Sequence, residues 1–538
     1  MGASNSTVQN VSTEQRDVEN EAASTGALPM LRRAFSKVAN PETNAVPREN
    51  LQQCFSLAYK GQSDASNIPK LFPVLLDHLG PSIVDQFFTP AKGQITWVEF
   101  VRGYNNCCAR MSASVSLNML LRVLRLTIGR ANMPINLEIE FDDADWKING
   151  FLIPSDVILL LLMCWSMSWD CGSLKQSECK VSHSPPDLNH LVLSAITSCA
   201  KVDSGLNVWD SDFSSSEVQI PAGKFVTWVL STVPCLSDCL NQFFHARLQN
   251  QATAGDESVP SNSSVGDVSL TTECDNNILT RGRAWAIGLT QRSTINEEIS
   301  GVCFSRSEDG MDERLLYRSS AHGKGLNRFW SHVEGYKGPL LILVAASSGQ
   351  SHEGSSIVRK WVIGALTNQG FENKDLFYGS SGCLYAISPV FHVFPPSGKE
   401  KNFVYSHLHP SGRAYEPHPK PVGIAFGGTI GNERIFIDED FARVTVRHHA
   451  IDKTYQPGPL LPDQGFLAVE GLVSEVEVWG LGGHAAKKVQ DSYKKREELF
   501  TEQRRKVDLK TFASWDDSPE KMMMDMMSDP NAVRREDR

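Results

Sequence analysis

Two serines and a cysteine lie in a glycine-rich stretch, where their types allow nucleophilic chemistry. In "LFYGSSGCLYAIS" (376–388) these residues are Ser380, Ser381 and Cys383. A nucleophile elbow needs Gly-x-Ser-x-Gly between a strand and a helix. Neither serine stands midway between the glycines, and the β-branched and aromatic residues that follow predict a strand. We therefore expect a connection between two strands and assign no catalytic residue; a hydrolase or a reactive thiol at these positions is the enzymatic alternative.

A second stretch has part of the spacing of a calcium-binding loop. "DWKINGFLIPSD" places Asp145, Asn149 and Asp156 at positions 1, 5 and 12 of an EF-hand loop. Lys147 stands where an oxygen ligand is needed, and calcium takes about six to eight oxygens. Two similar fragments, "GQITWVEF" and "GKFVTWV", indicate a repeated unit. We expect EF-hand-like helix pairs without an ion and no cofactor; calcium at these three residues is the alternative.

Three histidines lie close together in "HLHPSGRAYEPHP", namely His407, His409 and His418. A metal site needs ligands that are held on a fixed scaffold by further hydrogen bonds. The prolines and the glycine of this stretch predict an exposed loop. We therefore expect solvated histidines and no metal.

The opening residues "MGASNS" satisfy the Met-Gly-x-x-x-Ser rule and predict N-myristoylation of Gly2. One myristoyl chain gives only marginal and reversible membrane binding, so a second contact is required. The amphipathic segment "LPMLRRAFSKVA" (28–39) carries Arg32, Arg33 and Lys37. These three cations are the candidates for contact with the membrane surface.

Composition limits the class of protein. The chain has 538 residues, of which 41% are hydrophobic and 21% charged, as in soluble globular proteins. The net charge of −10 argues against nucleic-acid binding, which needs a basic face. No run reaches the ~20 apolar residues of a membrane-spanning helix. The 12 cysteines include no Cys-x-x-Cys pair, which favours a reducing, cytoplasmic compartment.

Patterning along the chain predicts an α+β protein with five segments. Long apolar helices fill the first half, whereas short strand-like runs between Gly and Pro turns predict an antiparallel β-sandwich in the second half. The segments are a disordered myristoylated arm (1–26), a helical EF-hand-like domain (27–248), a flexible linker (249–276), the strand-rich domain with short helices (277–484), and a C-terminal helix with a disordered acidic, Met-rich tail (485–538).

Four stretches of the strand-rich segment resemble the TLDc domain family. "RLLYRSSAHGKGLNRFWSHVEGYKGPLLILVAAS" resembles the opening of that domain, and "LFYGSSGCLYAISPVFHVF" resembles its Phe-Gly-x-Gly strand. "GIAFGGTIGNERIFIDEDF" is similar to its glycine-rich hairpin, and "TYQPGPLLPDQGFLAVEGLVSEVEVWGLG" is similar to its closing signature. Many members carry an acid after the second glycine of the strand motif, where this chain has Cys383.

The resemblance implies a non-enzymatic regulator. The order of myristoylation signal, EF-hand-like helices, TLDc domain and C-terminal helix resembles the lysosomal, mTOR-associated branch of the family and a fungal vacuolar protein. It implies peripheral attachment to lysosomal, vacuolar or other endomembranes, binding to subunits of the vacuolar proton pump (V-ATPase), and a role in oxidative-stress resistance. The alternative partner is an mTOR-type nutrient-signalling complex. No catalytic residues are established for the domain.

Overall fold

The structure is a computed structural model of the full chain. It describes residues 12–57, 69, 71–88, 94–142, 145–174, 185–200, 207–209, 218–254, 277–304, 314–352, 355–408, 420–516, 521, 523, 524 and 527. Gly2 therefore lies outside the described residues, as do His409 and His418.

Helices form the first half of the chain, as the apolar periodicity predicts for residues 27–248. Residues 13–24 also form a helix, where the sequence predicted a disordered arm, because Ala22 is buried and Glu19 accepts the indole N–H of Trp97 at 2.7 Å. Several begin at a side-chain cap; in α6, Thr96 and Glu99 form a reciprocal capping box. The helices are α1 (Thr13–Ser24), α2 (Leu28–Val38), α3 (Arg48–Cys54), α4 (Phe72–Asp77), α5 (Leu79–Phe87), α6 (Trp97–Cys108), α7 (Ala113–Arg130), α8 (Pro154–Leu174), α9 (Asn189–Cys199), α10 (Ala222–Thr232), α11 (Cys239–Thr253), α12 (Arg281–Gly288) and α13 (Thr294–Cys303).

No single described helix is long and apolar enough to cross a membrane. Only α6 and α7 taken together satisfy that length and composition, and they are bent by 114° at the break between them.

A small sheet interrupts the helices. It contains β1 (Leu137–Asp142), β2 (Asp145–Leu152) and β3 (Ile220–Pro221), in the order β1-β2-β3. The chain of β2 is extended because its residues pair with β1 from Asp145 opposite Asp142 to Gly150 opposite Leu137. The EF-hand interpretation of this stretch is therefore not confirmed, since the residues at positions 1 to 8 form a strand where an ion loop would curl.

Two short antiparallel pairings stand in front of helices. Val46 and Ile95 exchange both backbone hydrogen bonds, at 2.8 and 3.0 Å, just before α3 and α6. Leu152 pairs with Ile220 just before α8 and α10. The two pairings have the same relation to their helices, which fits the repeated unit indicated by the sequence fragments.

The second half of the chain forms one antiparallel sheet. Its strands are β4 (Leu315–Arg318), β5 (Leu340–His352), β6 (Ser355–Thr367), β7 (Lys374–Tyr378), β8 (Gly382–Ser388), β9 (His392–Phe394), β10 (Val404–His407), β11 (Gly423–Thr429), β12 (Asn432–Asp438), β13 (Arg443–Val446) and β14 (Val469–Gly480). The order is β7-β10-β11-β12-β13-β14-β5-β6-β8-β9, and β4 also pairs with β14.

The expected sandwich of two sheets is replaced by this continuous sheet, which curls around its own apolar core. The continuity comes from β14, because this strand pairs with β13 through its first residues and with β5 along most of its length. Its pairing with β5 joins segments more than a hundred residues apart in sequence.

Three further helices complete the sheet domain and the chain end. They are α14 (Ser319–His322), α15 (Leu326–Val333) and the long α16 (Gly483–Asp516). In α15 one apolar stripe, at i, i+3, i+4 and i+7 from Leu326, is buried against the sheet core. Gly335 follows the end of α15 at a φ of +79°, a conformation that glycine adopts without strain.

The central strands are buried on both faces. In β5, Leu341 and Leu343 belong to the apolar core of the helical half, whereas Ile342 and Val344 belong to the core inside the curled sheet. Side chains of a strand alternate between its faces, so β5 separates the two cores. The helical half is thus packed on the outer face of the sheet.

Candidate functional site

The glycine-serine connection joins two strands, as predicted. It runs from the end of β7 at Tyr378 to the start of β8 at Gly382, and no helix follows it. Ser380 is exposed and Ser381 is half-buried. Among the described residues, no hydrogen bond connects either serine hydroxyl to a histidine or a carboxylate. The geometry is that of a strand connection and lacks the strand-turn-helix context of a nucleophile elbow.

Cys383 lies between the sheet and the helical half. The Gln291 side-chain amide donates to its sulfur at 3.8 Å and to the Tyr385 hydroxyl at 2.9 Å. Burial raises the pKa of the Cys383 thiol, although the hydrogen bonds from Gln291 and Tyr385 oppose this effect. Thiols react as thiolates, so this environment suppresses nucleophilic reactivity.

The three calcium candidates are spread along β2 and the start of α8. Asp145 lies at the start of β2 and Asn149 lies opposite Glu138 in the ladder. The Asp156 carboxylate accepts the backbone N–H of Ile153 at 3.0 Å at the start of α8. Burial raises the pKa of Asp156, with the bond from Ile153 acting in the opposite direction. Asp156 therefore acts as a helix cap in this structure.

No group of three or more His, Cys, Asp and Glu side chains is arranged to hold a metal ion within the described ranges. His407, the one member of the predicted histidine cluster that these ranges include, ends β10 opposite Gly423. The ten cysteines in these ranges are free thiols.

The basic residues of α2 have different surroundings. Arg32 is exposed and pairs with Glu19 at 3.3 Å. The Lys37 ammonium donates to the carbonyls of Ala252, at 3.1 Å, and Ala254, at the end of α11. Arg33 is exposed. Lys37 thus caps a helix, a favourable place for a cation, while the two arginines remain at the surface.

Among its described side chains, the C-terminal helix contacts the sheet domain only through residues 483–494, which we call the root of α16. Gln490 is fully buried in α16, and its amide donates to the carbonyls of His332 at 2.7 Å and Glu334 at 3.2 Å. Further along, Leu499 and Phe500 are 52% and 57% exposed. The helix therefore presents large apolar side chains to solvent beyond its docked root.

A fully buried ion pair was not anticipated from the sequence. Arg434 in β12 and Asp452 are both 0% exposed, and their side chains are 3.2 Å apart. Arg434 also donates to the carbonyls of Gln456 and Gly458, and Asp452 accepts the N–H groups of Gly428 and Thr454. Burial lowers the pKa of Arg434, while Asp452 opposes that effect. The two charged groups bind the glycine-rich hairpin to the segment that precedes β14.

A buried carboxylate joins the sheet to the chain that enters the helical half. Glu477 of β14 accepts the N–H groups of Ile278 at 2.7 Å and Leu279 at 3.1 Å, and the indole N–H of Trp479 at 3.0 Å. Burial raises its pKa despite these hydrogen bonds. The alternation in "EVEVWG" places Glu475 and Glu477 on one face, which was the only sequence signal for this contact.

Comparisons with known proteins agree with the sheet domain. Residues 293–482 match the family model described as the TLDc domain. Oxidation resistance protein 1 of Rattus norvegicus and of Mus musculus are each 25% identical to this chain over 166 residues, and that of Homo sapiens is 24% identical over the same length. These segments cover 31% of this chain but only 15–16% of the relatives. The chain therefore matches about a sixth of their length. The family model and the relatives together support a TLDc domain at residues 293–482 of this chain.

Proposed function

We propose that this chain is a non-enzymatic regulator that is recruited to endolysosomal or vacuolar membranes and binds the V-ATPase. The observation that carries the proposal is the match of residues 293–482 to the TLDc domain. The relatives that match 31% of this chain are named for oxidation resistance, which supports a role in oxidative stress as part of the same proposal. The protein acts in the cytoplasm through contacts with its partner and needs no cofactor.

The projecting part of α16 is the proposed second contact with the partner. Leu499 and Phe500 would lose their exposure to water on binding, and burial of apolar area favours association by about 25 cal/mol per Å². The surrounding helix carries cations and anions in alternation, which favours a mixed-charge protein surface as its target. The docked root holds this helix at a defined place on the TLDc domain.

The membrane contact is proposed to combine a myristoyl chain on Gly2 with the exposed arginines of α2. Arg33 is exposed, and the Arg32 side chain is 62% exposed although it pairs with the partly buried Glu19, so both guanidinium groups can face an anionic surface. The Lys37 ammonium also caps α11, so we assign the larger part of this contact to the two arginines. Two weak attractions acting together give the reversible attachment expected of a regulator.

Capture of the tagged chain from cells tests the partner. We expect V-ATPase subunits to be recovered with the wild type, and recovery to fall about tenfold for Leu499→Glu/Phe500→Glu, because two buried apolar contacts would be replaced by charges. Leu472→Glu, at an equally exposed leucine on the sheet, is the matched control. Recovery of mTOR-complex subunits without V-ATPase subunits would contradict the proposal in favour of the signalling scaffold.

Cell fractionation tests the anchor. Gly2→Ala removes the glycine that the myristoylation motif requires, so membrane recovery should be largely lost, while Ser4→Ala should retain it. Arg32→Glu/Arg33→Glu should reduce recovery only at low salt, because screening weakens attraction to anionic lipids. Equal recovery of the wild type and Gly2→Ala would show that protein contacts alone place the chain on membranes.

A further inference from the structure

The root of α16 is held by the last carbonyls of α15. These carbonyls have no partner within their own helix. Gln490 donates to the carbonyls of His332 and Glu334, and the Lys494 ammonium donates to that of His332 at 3.1 Å. The Tyr493 hydroxyl donates to the Glu334 carboxylate at 3.0 Å. The docking of α16 therefore depends on the end of α15 keeping its position.

Two stacked histidines lie at this end of α15. The rings of His322 and His332 have centroids 4.1 Å apart and an angle of 22° between their planes. His332 Nδ1 lies 2.9 Å from the Arg328 carbonyl, which can only accept, so this nitrogen is the donor. His322 Nδ1 accepts the backbone N–H of Arg318 at 3.0 Å. The unprotonated nitrogen of His322, Nδ1, therefore faces an N–H donor, and a second proton placed on this nitrogen would repel that donor.

Three cationic residues surround the histidine pair, each on a different element. Lys494 approaches from α16, Arg328 lies on α15 beside Gly323, and Arg318 lies on β4. Burial lowers the pKa of His322, and both His332 and Lys494 lower it further. The neighbouring anions are engaged elsewhere: Glu334 bonds Tyr493, and Glu475 of β14 bonds Ser319, Ser320 and Arg318.

The remaining titratable groups of this region belong to neighbouring turns and to α16. Tyr317 of β4 lies against both rings. Burial lowers the pKa of Lys494 on α16. Lys487 lowers it further, whereas Asp491 and Glu498 act in the opposite direction. His484 at the start of the helix is exposed. None of these groups gives the histidine pair a direct anionic partner among the described contacts.

We propose that the stacked pair of His322 and His332 is a pH-sensitive lock that holds the root of α16 on the TLDc domain. When both rings are neutral, the stack and the Arg318 bond keep the end of α15 in place and the carbonyls available to α16. Protonation of His322 Nδ1 replaces an acceptor by a donor that faces the Arg318 N–H, and it adds a cation near Lys494.

The direction of the effect follows from the lowered pKa of His322. The docked state binds protons less readily than the undocked state, in which the ring is closer to the ordinary histidine pKa of about 6.5. Docking is therefore fully favoured above that pH and is lost as the pH falls below it. The released helix would free Gln490 and Tyr493 together with the apolar residues further along α16.

Hydrogen exchange of the full chain, read by mass spectrometry and corrected for the intrinsic exchange rate, tests the lock. We expect the protection of residues 485–494 to fall roughly tenfold between pH 7.5 and 5.5, because the undocked state binds a proton that the docked state disfavours. Gly335→Ala provides the undocked reference at pH 7.5, because its Cβ would lie 2.4 Å from the Tyr493 ring.

His322→Asn/His332→Asn is the decisive variant, because asparagine can accept from Arg318 and donate to the Arg328 carbonyl but does not titrate. Its protection should not change with pH. The matched control is His448→Asn/His449→Asn, which removes another pair with centroids 4.1 Å apart, remote from α16, and should behave as the wild type. Lys494→Gln should move the release to lower pH, and it decides the matter if the asparagine variant does not fold.

Three results would overturn the proposal. The first is equal protection of the wild type at both pH values. The second is a pH-dependent loss that persists in the folded asparagine variant. The third is a release pH that Lys494→Gln leaves unchanged.

Discussion

The two halves of β14 lie in one strand but have different environments. From Val469 to Ser474 every second side chain is exposed, whereas from Val476 to Gly480 both faces are buried. The first half pairs with β13, whose outer face is open to solvent, and the second half pairs with β5 beneath the helices. Successive side chains of a strand point to opposite faces of the sheet. The difference therefore shows that a strand is buried on both faces only where another element packs on the outer face of the sheet.

The charged groups also differ between the open part of the sheet, around β13, and the covered part, around β5. Near the open part, the Arg434–Asp452 pair is fully buried at one end of the curled core, and the Arg443–Glu470 pair lies on the outer surface. In the covered part, Glu477 carries the contact between the sheet and the chain entering the helical half. These contrasts give the following predictions for unfolding measurements.

The largest effect is expected for Asp452→Ala. It leaves the Arg434 guanidinium buried without its anion, which costs about 3–5 kcal/mol of unfolding free energy. Asp452→Asn retains an acceptor for Gly428 and Thr454 and should cost less. Urea unfolding measures both. A loss below about 0.5 kcal/mol for the alanine variant would mean that water or a rearrangement satisfies Arg434.

The comparison of covered and open strands is tested by two identical substitutions. Leu343→Ala opens a cavity on the fully buried strand β5 and should cost about 2–5 kcal/mol. Leu472→Ala, at a leucine that is 64% exposed on β14, should change stability by less than about 0.5 kcal/mol. Similar losses for the two variants would show that the helical half does not cover β5 in solution.

Acid sensitivity of the covered face should come in part from His190. This ring is buried between α9 and Phe391, and burial lowers its pKa to about 3. The unfolded chain therefore binds a proton near pH 6.5 that the folded chain excludes, so stability is retained above that pH and lost below it. Relative to His190→Leu, the wild type should lose about 2 kcal/mol between pH 7 and 5. His484→Leu, at an exposed histidine, should keep the wild-type pH profile; parallel profiles for the wild type and His190→Leu would refute the assignment.

The smallest effect is expected on the open surface. Arg443 and Glu470 are 4.0 Å apart, and both side chains are about two-thirds exposed. Glu470→Ala should shift the unfolding free energy by less than about 0.5 kcal/mol, because water screens the pair. A loss comparable to that of Asp452→Ala would remove the distinction between the two ion pairs.

The local patterns of the sequence predicted several elements correctly. The short helices of the second half need only their own periodicity, and the glycine-rich hairpin needs only its own turn residues, so both were predicted from the sequence. The EF-hand-like interpretation of the stretch beginning at Asp145 is not confirmed, because its residues pair with a strand in residues 137–142. Pattern within one segment does not reveal a partner strand.

The residues of the candidate site also divide into those predicted from one segment and those revealed only by contacts between segments. Residue types alone predicted that Ser380 and Ser381 stand in a strand connection, and the structure confirms that context. The burial of Gln490 and the stacking of His322 on His332 were not visible in the sequence, since each joins separate elements. Gly2 and the membrane attachment remain predictions.

The sequence by itself determined the α+β class, the order of helical and strand-rich segments and the TLDc resemblance, because these depend on local periodicity, turn residues and motif order. The tertiary structure alone decided that the sheet is continuous, that β5 separates two cores, and that α16 is docked at its root and exposed beyond it. The physical reason is that these features arise from contacts between distant segments, whose burial no single stretch of the chain specifies.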